Sequence, residues 1–306
     1  GPSFPGGAIH AASTSAPVYH RSFAEAVRAR SVTPPPPAET APPPVVTPDA
    51  ERGAERVNLY VPRILQQHLV DHPESRGWTV EGTAAFVDIS GFTKLSEQLA
   101  RKGKEGAEQI TEVIGKSFES ILQVAYDRGG SLLKFGGDAL LLWFEGDSHV
   151  ERACHATLMM RAVLDDVGRI KLPDAEVTLM MSQGVHSGEF HFFAVGASHT
   201  ELLPTGPGWS RLVAMEQTAS AGEILLSTET AARLPPECLG EPKGPGRFLA
   251  AAPGDVPTLP LVPRPHMSTD RLAHCLPLAV RGYVLAGAGA SEHRPVTVAF
   301  LRYEGI

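Results

Sequence analysis

No stretch of the sequence approaches the ~18 uncharged apolar residues that a membrane-spanning helix needs, and the N-terminus lacks the basic-then-apolar pattern of a secretory signal. Cysteine is scarce. Cys154, Cys238 and Cys275 are widely spaced with no CxxC pair, which argues against a disulfide framework and against a cysteine-rich zinc site. Basic charge is short as well: 27 Lys and Arg stand against 34 Asp and Glu, a formal charge of -7. No basic face is evident that would recruit nucleic acid by counterion release. Together these absences read as a cytoplasmic chain in a reducing compartment, with no nucleic-acid partner. The chain opens on Gly1 rather than Met, which reads as a fragment or a processed form.

Proline, by contrast, is plentiful, and it is concentrated. Residues 1–50 are rich in Pro, Ala, Ser and Thr, with "TPPPPAETAPPPVV" at 33–46. Such a composition cannot bury enough surface to offset chain entropy and reads as a disordered or polyproline-like tail. A second proline-rich stretch, 236–273, reads as a linker.

Between the two lies an ordered pattern. Residues 51–80 form a helical lead-in, with Val61, Ile64, Leu65 and Leu69 at helical spacing and Pro62 near the helix start. From 81 to 235 a single domain is expected, opening on the strand "TAAFVDI" (83–89). Two helices follow, the longer one presenting Ile110, Val113, Ile114, Phe118, Ile121, Leu122 and Ala125 on one face until "GG" at 129–130 stops it. "SLLKFGGDALLLWF" (131–144) reads as two apolar strands joined by a glycine turn. A helix over 148–166, further strands and a helix over 210–219 complete the pattern. The order β-α-β-β-α-β predicts an α/β (α+β) sandwich of ferredoxin-like type with extra strands.

The last segment, 274–306, echoes the first. "LYVPRIL" followed by "EGTAAFVDI" recurs as "HCLPLAV" followed by "EHRPVTVAFLRY", with nearly the same interval between Pro62 and Phe86 as between Pro277 and Phe300. A second copy of the unit begins there and is cut off within its first strand.

Asp88 interrupts an apolar strand, where a carboxylate is expensive unless it has a cation. Asp138 sits at the turn of the glycine hairpin. If the first strand and the hairpin lie side by side, both carboxylates reach one sheet edge, a setting that suits divalent cations held by a few carboxylates plus phosphate and water. The backbone amides of "SGFT" (Ser90, Gly91, Phe92, Thr93) at a helix entry add a place for polyphosphate oxygens. Taken singly, each acid has an ordinary reading too: Asp138 as a turn aspartate, Asp88 as a helix cap.

The residues "FVDISGFT" (86–93), "GGSLLKFGGDALLLWF" (129–144) and, more loosely, "GVHSGE" (184–189) and "GPGWSRLVAMEQTASAGEILLS" (206–227) resemble the class III nucleotidyl cyclases. The likeness is to their tandem-domain subgroup of soluble adenylyl cyclases. It covers about 57–227 and again 274–306. It implies an adenylate cyclase that converts ATP to cyclic AMP and pyrophosphate at the interface of two such domains. By that resemblance Asp88 and Asp138, with the Ile89 carbonyl, would hold two Mg²⁺ or Mn²⁺ ions. Active partner domains carry a base-reading Asp or Thr, an Asn and an Arg where this chain has Leu203, Ser210 and Ala214. The chain is therefore expected to supply the metal-bearing half, with little or no activity alone. The truncated second copy has Arg302 in place of Asp88, and its continuation is expected to supply the other half.

Lys134 and Arg211 match the places where the bicarbonate-regulated subgroup binds its anion. Two cations converging there would hold bicarbonate, although a hairpin lysine and a helix-surface arginine explain them equally well. A diguanylate cyclase also presents a GGD hairpin, but Ala139 and Leu140 replace the acid and aromatic expected after it. The remaining rival is a catalytically degenerate cyclase-like module that senses nucleotide or bicarbonate. His186, His191 and His199 read as core or surface histidines, and "AGAGAS" (286–291) as linker.

Overall fold

The computed structural model describes residues 48–100, 104–172 and 175–287. Most of the proline-rich tail lies outside them, as do the expected second-copy strand (292–303) and Arg302.

Pro62 breaks the lead-in in two, because its ring removes a backbone donor and holds the residue before it out of helical conformation. Helix α1 (Pro48–Asn58) ends before it and α2 (Arg63–Asp71) begins after it. The single helix expected from the spacing is thus a pair, and it starts at Pro48 rather than at residue 51. Strand β1 (Gly77–Ser90) follows, then α3 (Phe92–Ala100) and α4 (Lys104–Asp127). The hairpin is β2 (Ser131–Gly136) and β3 (Ala139–Phe144), followed by α5 (His149–Val167). A small two-stranded sheet, β4 (Arg169–Leu172) with β5 (Ala175–Thr178), precedes β6 (Met180–Val195) and β7 (Glu201–Thr205). Then come α6 (Pro207–Thr218), β8 (Ile224–Ser227) and the short α7 (Thr228–Ala231).

With β9 (Leu239–Lys243) and β10 (Gly246–Leu249), the main sheet has eight strands in the order β2-β3-β1-β6-β8-β10-β9, with β7 paired to the far end of β6. Its heart, β2-β3-β1-β6, is the expected β-α-β-β-α-β unit, and β1 lies between the hairpin and β6. All pairings are antiparallel except β6 with β8.

Side chains alternate across β1, as the strand period of two requires. Ala85, Val87 and Ile89 face a core closed by Phe92, Leu95 and Leu99 of α3, Phe118 and Ile121 of α4, and the apolar side of α5. Ala84 faces the opposite layer, where Trp143, Phe190 and Phe192 meet Trp209 and Leu212 of α6 and the lead-in helices. Trp143 packs edge-on to Phe190 and Phe192 at 5.1 and 5.3 Å between ring centroids. Burying each such ring stabilises the fold by roughly 2–3 kcal/mol. Asp88 shares the parity of Ala84 and Phe86, so its carboxylate stands on the α6 side of the sheet, away from the dry α4–α5 layer.

Part of the stretch that composition reads as linker is sheet. β9 (Leu239–Lys243) and β10 (Gly246–Leu249) form a hairpin on the free edge of β8, with Gly246 opposite Ser227. Cys238 and Leu249 are buried in the first core. Proline and glycine mark the turn there, at Gly244 and Pro245, rather than an unstructured segment. Beyond it the chain has no regular element until α8 (Thr269–Ala273), though Leu259 N–H donates to the Asp127 carbonyl and Arg264 to that of Val61.

Helix α9 (Leu278–Ala286) starts on Pro277 at φ -53, ψ 138, nearly the φ -56, ψ 135 of Pro62 ahead of α2. The sequence echo is therefore also an echo of local conformation. Both α8 and α9 pack against α1, and Leu272, Cys275, Leu276 and Val284 share a core with Val57, Ile64 and Leu65. Gly287 caps α9 with φ +68, so "AGAGAS" opens on a helix end.

Candidate active site

The turn of the β2–β3 hairpin consists of Gly137 and Asp138, between the paired residues Gly136 and Ala139. Gly137 adopts φ +69, a backbone state that glycine enters without steric cost. β1 lies directly against this turn: Asp88 is opposite Ala139, and the Ile89 N–H donates to the Asp138 carbonyl at 3.1 Å. Two acids 50 positions apart are thereby placed at one end of the sheet, Asp88 on β1 and Asp138 in the turn beside it. The Asp88 carboxyl is held above the usual aspartate range, first by burial and then by the negative charge of Asp138.

On its other side Asp88 is opposite Ser182 of β6. Ser182 Oγ donates to Glu216 Oε1 at 3.2 Å. Glu216, in the last turn of α6, is also raised above the usual range, chiefly by burial, with the Asp88 charge adding to it and the Ser182 bond opposing it. Among the described residues none of these three carboxylates has a Lys, Arg or His ion-pair partner. Glu216 was missed in the sequence, yet a signal was there: it falls four residues after buried Leu212, on the sheet-facing stripe of its helix.

The entry to α3 is fixed by Gly91, at φ +103. A Cβ there would also sit 2.9 Å from the Thr178 carbonyl. Phe92 anchors the turn by stacking on Phe118, and Ser90 Oγ donates to the Met180 carbonyl at 3.3 Å. The first backbone amides of α3, at Phe92 and Thr93, are of the kind a helix leaves without internal partners, and no acidic residue occupies the first turn to compete for them.

Because Asp88 is raised, the folded state holds its proton more tightly than the unfolded chain does. The resulting stability is present at low pH and is lost as pH rises through the folded pKa, so at neutral pH the ionised carboxylate opposes folding. Asp88→Asn is accordingly expected to raise the Tm of the metal-free protein at pH 7–8, with the advantage vanishing below the ordinary aspartate pKa of about 3.9, where the folded and unfolded chains are both protonated. Thermal melts across that range check this.

Leu203 is exposed on β7, Ser210 is exposed on α6, and Ala214 is half-buried one turn further along. None carries a charge or an amide. Lys134 and Arg211 each have a carboxylate partner. Lys134 Nζ is paired with Glu201 Oε1 at 2.6 Å, and Arg211 Nη1 with Glu229 at 3.3 Å. The apolar groove beside Lys134, about 370 Å³ and walled by Phe86, Phe135, Leu141, Trp209 and Leu212, does not include Arg211. His186 is buried, with Nδ1 2.8 Å from the Ser227 hydroxyl, in a chain of hydroxyls that continues through Thr230, Ser187 and Thr83 to His149. His191 lies by Thr79 and Glu189, and His199 by Glu201.

Residues 79–245 match the family model described as "Adenylate and Guanylate cyclase catalytic domain". Among curated proteins the chain is similar to adenylate cyclase type 10 of Homo sapiens, 28% identical over 153 residues, which are 48% of this chain and 9% of that protein. It is also similar to adenylate cyclase 1 of Rhizobium meliloti (strain 1021), 24% identical over 208 residues, 63% of this chain and 30% of that one. The chain thus spans about a tenth to a third of the length of these relatives. Among solved structures it is similar to the guanylyl cyclase Cya2 at 20% identity and TM-score 0.48, covering 60% of this chain and 100% of that chain. The adenylyl cyclase CyaB from P. aeruginosa, at 22% and 0.46, covers 58% and 97%.

Proposed function

The chain belongs to the adenylate and guanylate cyclase catalytic-domain family, and from that premise we propose that it is the metal-bearing half of an adenylate cyclase site. The observation that carries the reading is the pairing of β1 with the glycine hairpin, which sets Asp88 beside Asp138 with no Lys, Arg or His paired to either among the described residues.

The family uses divalent metal, and the donors fit one. Among the described residues no three His, Cys, Asp or Glu side chains gather as a self-sufficient metal cage. Two carboxylates and the Ile89 carbonyl suit Mg²⁺ or Mn²⁺, hard ions that keep water and substrate phosphate as ligands. When bound, such ions lower the pKa of the ribose 3′-hydroxyl and neutralise the triphosphate during in-line attack on the α-phosphorus. Asp88 and Asp138 would hold the ions at this end of the sheet, and the partial burial of Asp88 beside the Asp138 charge would favour taking them up. Gly91 lets the chain turn so that the amides of Phe92 and Thr93 face the polyphosphate, with Ser90 tied back to β6. ATP is the preferred nucleotide because the curated relatives described above are adenylate cyclases.

Leu203, Ser210 and Ala214 assign base reading and transition-state stabilisation to a second cyclase-like domain, in the same longer chain or in another subunit. The same three residues support one other reading, a degenerate regulatory module that binds nucleotide or bicarbonate without turnover. Bicarbonate at Lys134 and Arg211 would require both side chains to leave Glu201 and Glu229. Incubating a chain that carries both copies with equimolar ATP and GTP, with Mn²⁺, tests the proposal. Cyclic AMP in excess of cyclic GMP is the expected product. Absence of either cyclic nucleotide favours the regulatory module, and an excess of cyclic GMP contradicts the purine assignment.

A further inference from the structure

We propose that Glu216 is a positioning residue for the cation end of β1, held by Ser182 so that its carboxylate strengthens the grip of Asp88 and Asp138 on a divalent cation. This rests on the metal reading of those two acids. Three independent features of the helix point the same way.

The first is placement. α6 is pressed onto β6 at Gly184, where a Cβ would come within 2.4 Å of the Glu216 backbone nitrogen. This contact fixes the Glu216 backbone over the strand. Ser182, two residues away on the same face of β6, then takes one carboxylate oxygen at 3.2 Å. Ser182 is the cross-strand partner of Asp88, so the Glu216 carboxylate is seated one strand away from it.

The second is a broken local rule. Glu216 stands in the last turn of α6, where the helix dipole is already negative, and that turn has no basic residue to offset it. An acid there destabilises the helix. Sequences keep such a conflict mainly where function requires it.

The third is the missing counter-charge. Glu216 is half-buried and the Ser182 hydroxyl is the only hydrogen-bond partner of its carboxylate among the described residues, yet it adds negative potential toward Asp88 rather than pairing with an arginine or lysine. A cation arriving at Asp88 and Asp138 relieves all three carboxylates at once. Groups one shell out from a metal commonly contribute tenfold or more to its affinity.

The test is calorimetric titration of the whole chain with Mn²⁺ alone, alongside metal-free thermal melts. Glu216→Gln keeps the size of the side chain and an oxygen to accept from Ser182. It is expected to weaken Mn²⁺ binding on the order of tenfold while leaving the metal-free Tm equal to or above that of the wild type. Ser182→Ala, which frees the carboxylate to swing into solvent, is expected to weaken Mn²⁺ less, and Ser182→Thr to restore it. A residue with only a structural role would lower the metal-free Tm and leave the Mn²⁺ affinity alone; that result overturns the assignment. Wild-type binding that Glu216→Gln leaves unchanged overturns the role of Glu216 only. Failure of the wild-type chain to bind Mn²⁺, or binding indifferent to Asp88→Asn, overturns the metal reading itself.

Discussion

Replacing Asp138 with Ala in a chain that carries both cyclase-like copies is expected to lower cyclase turnover by roughly a thousandfold or more, the effect of losing about 4 kcal/mol of transition-state stabilisation. Asp88→Ala is expected to do the same. The fold should survive both changes. Asp138 lies in a half-exposed two-residue turn beside Gly136 and Gly137, which have open space around them. Asp88 is partly buried beside Asp138, without an ion-pair partner among the described residues, so its removal relieves a burial and charge penalty rather than breaking a bond. Circular dichroism and melting curves beside the turnover assay separate loss of chemistry from loss of structure. Activity retained within tenfold in either variant would remove that residue from the metal site.

The second large effect concerns the chain by itself. Supplied with ATP and Mn²⁺, it is expected to turn over at least ten-thousandfold more slowly than a chain completed by its second copy. Losing one hydrogen-bond donor aimed at developing transition-state charge typically lowers turnover by about 10² to 10³-fold. At Ser210 and Ala214 this chain has neither the amide nor the guanidinium that its active relatives are expected to use, and Leu203 offers the base no polar contact. Two copies of this chain paired with each other would repeat the same deficit in both sites. Adding the second copy as a separate polypeptide should restore turnover, because the two halves of the site then come from different surfaces. Full activity of the chain alone would contradict the assignment of Leu203, Ser210 and Ala214.

The sequence made β1 and its neighbour hairpin legible because the signals there are local and strong. A bounded apolar run, two glycines at a turn and one misplaced aspartate leave few arrangements open, and the register of Asp88 with Ala139 is one of them. The helix spanning Lys104–Asp127 was equally clear from its single apolar face. What composition hid was the β9–β10 hairpin. Prolines at 242 and 245 look like linker, yet Cys238 and Leu249 are buried and the pair completes the edge of β8. The break between α1 and α2 depends on Pro62 acting as a stop as well as a start.

Within the site, sequence spacing could not reveal pairings made across the sheet. Glu201 lies 67 residues from Lys134, and Glu229 on α7 pairs with Arg211 on α6. Without coordinates both cations read as free to meet. Glu216 was overlooked for a related reason. Its importance comes from Ser182 and Asp88, which belong to two different strands, and only the β1–β6 register joins them.

The most direct measurement is a crystal of a chain carrying both copies, grown with Mn²⁺ and a non-cyclisable ATP analogue, with data collected at the manganese absorption edge. Anomalous peaks between the carboxylates of Asp88 and Asp138, bridging them to the triphosphate, are the predicted result. Manganese bound elsewhere, with those two side chains turned from the nucleotide, would contradict the account.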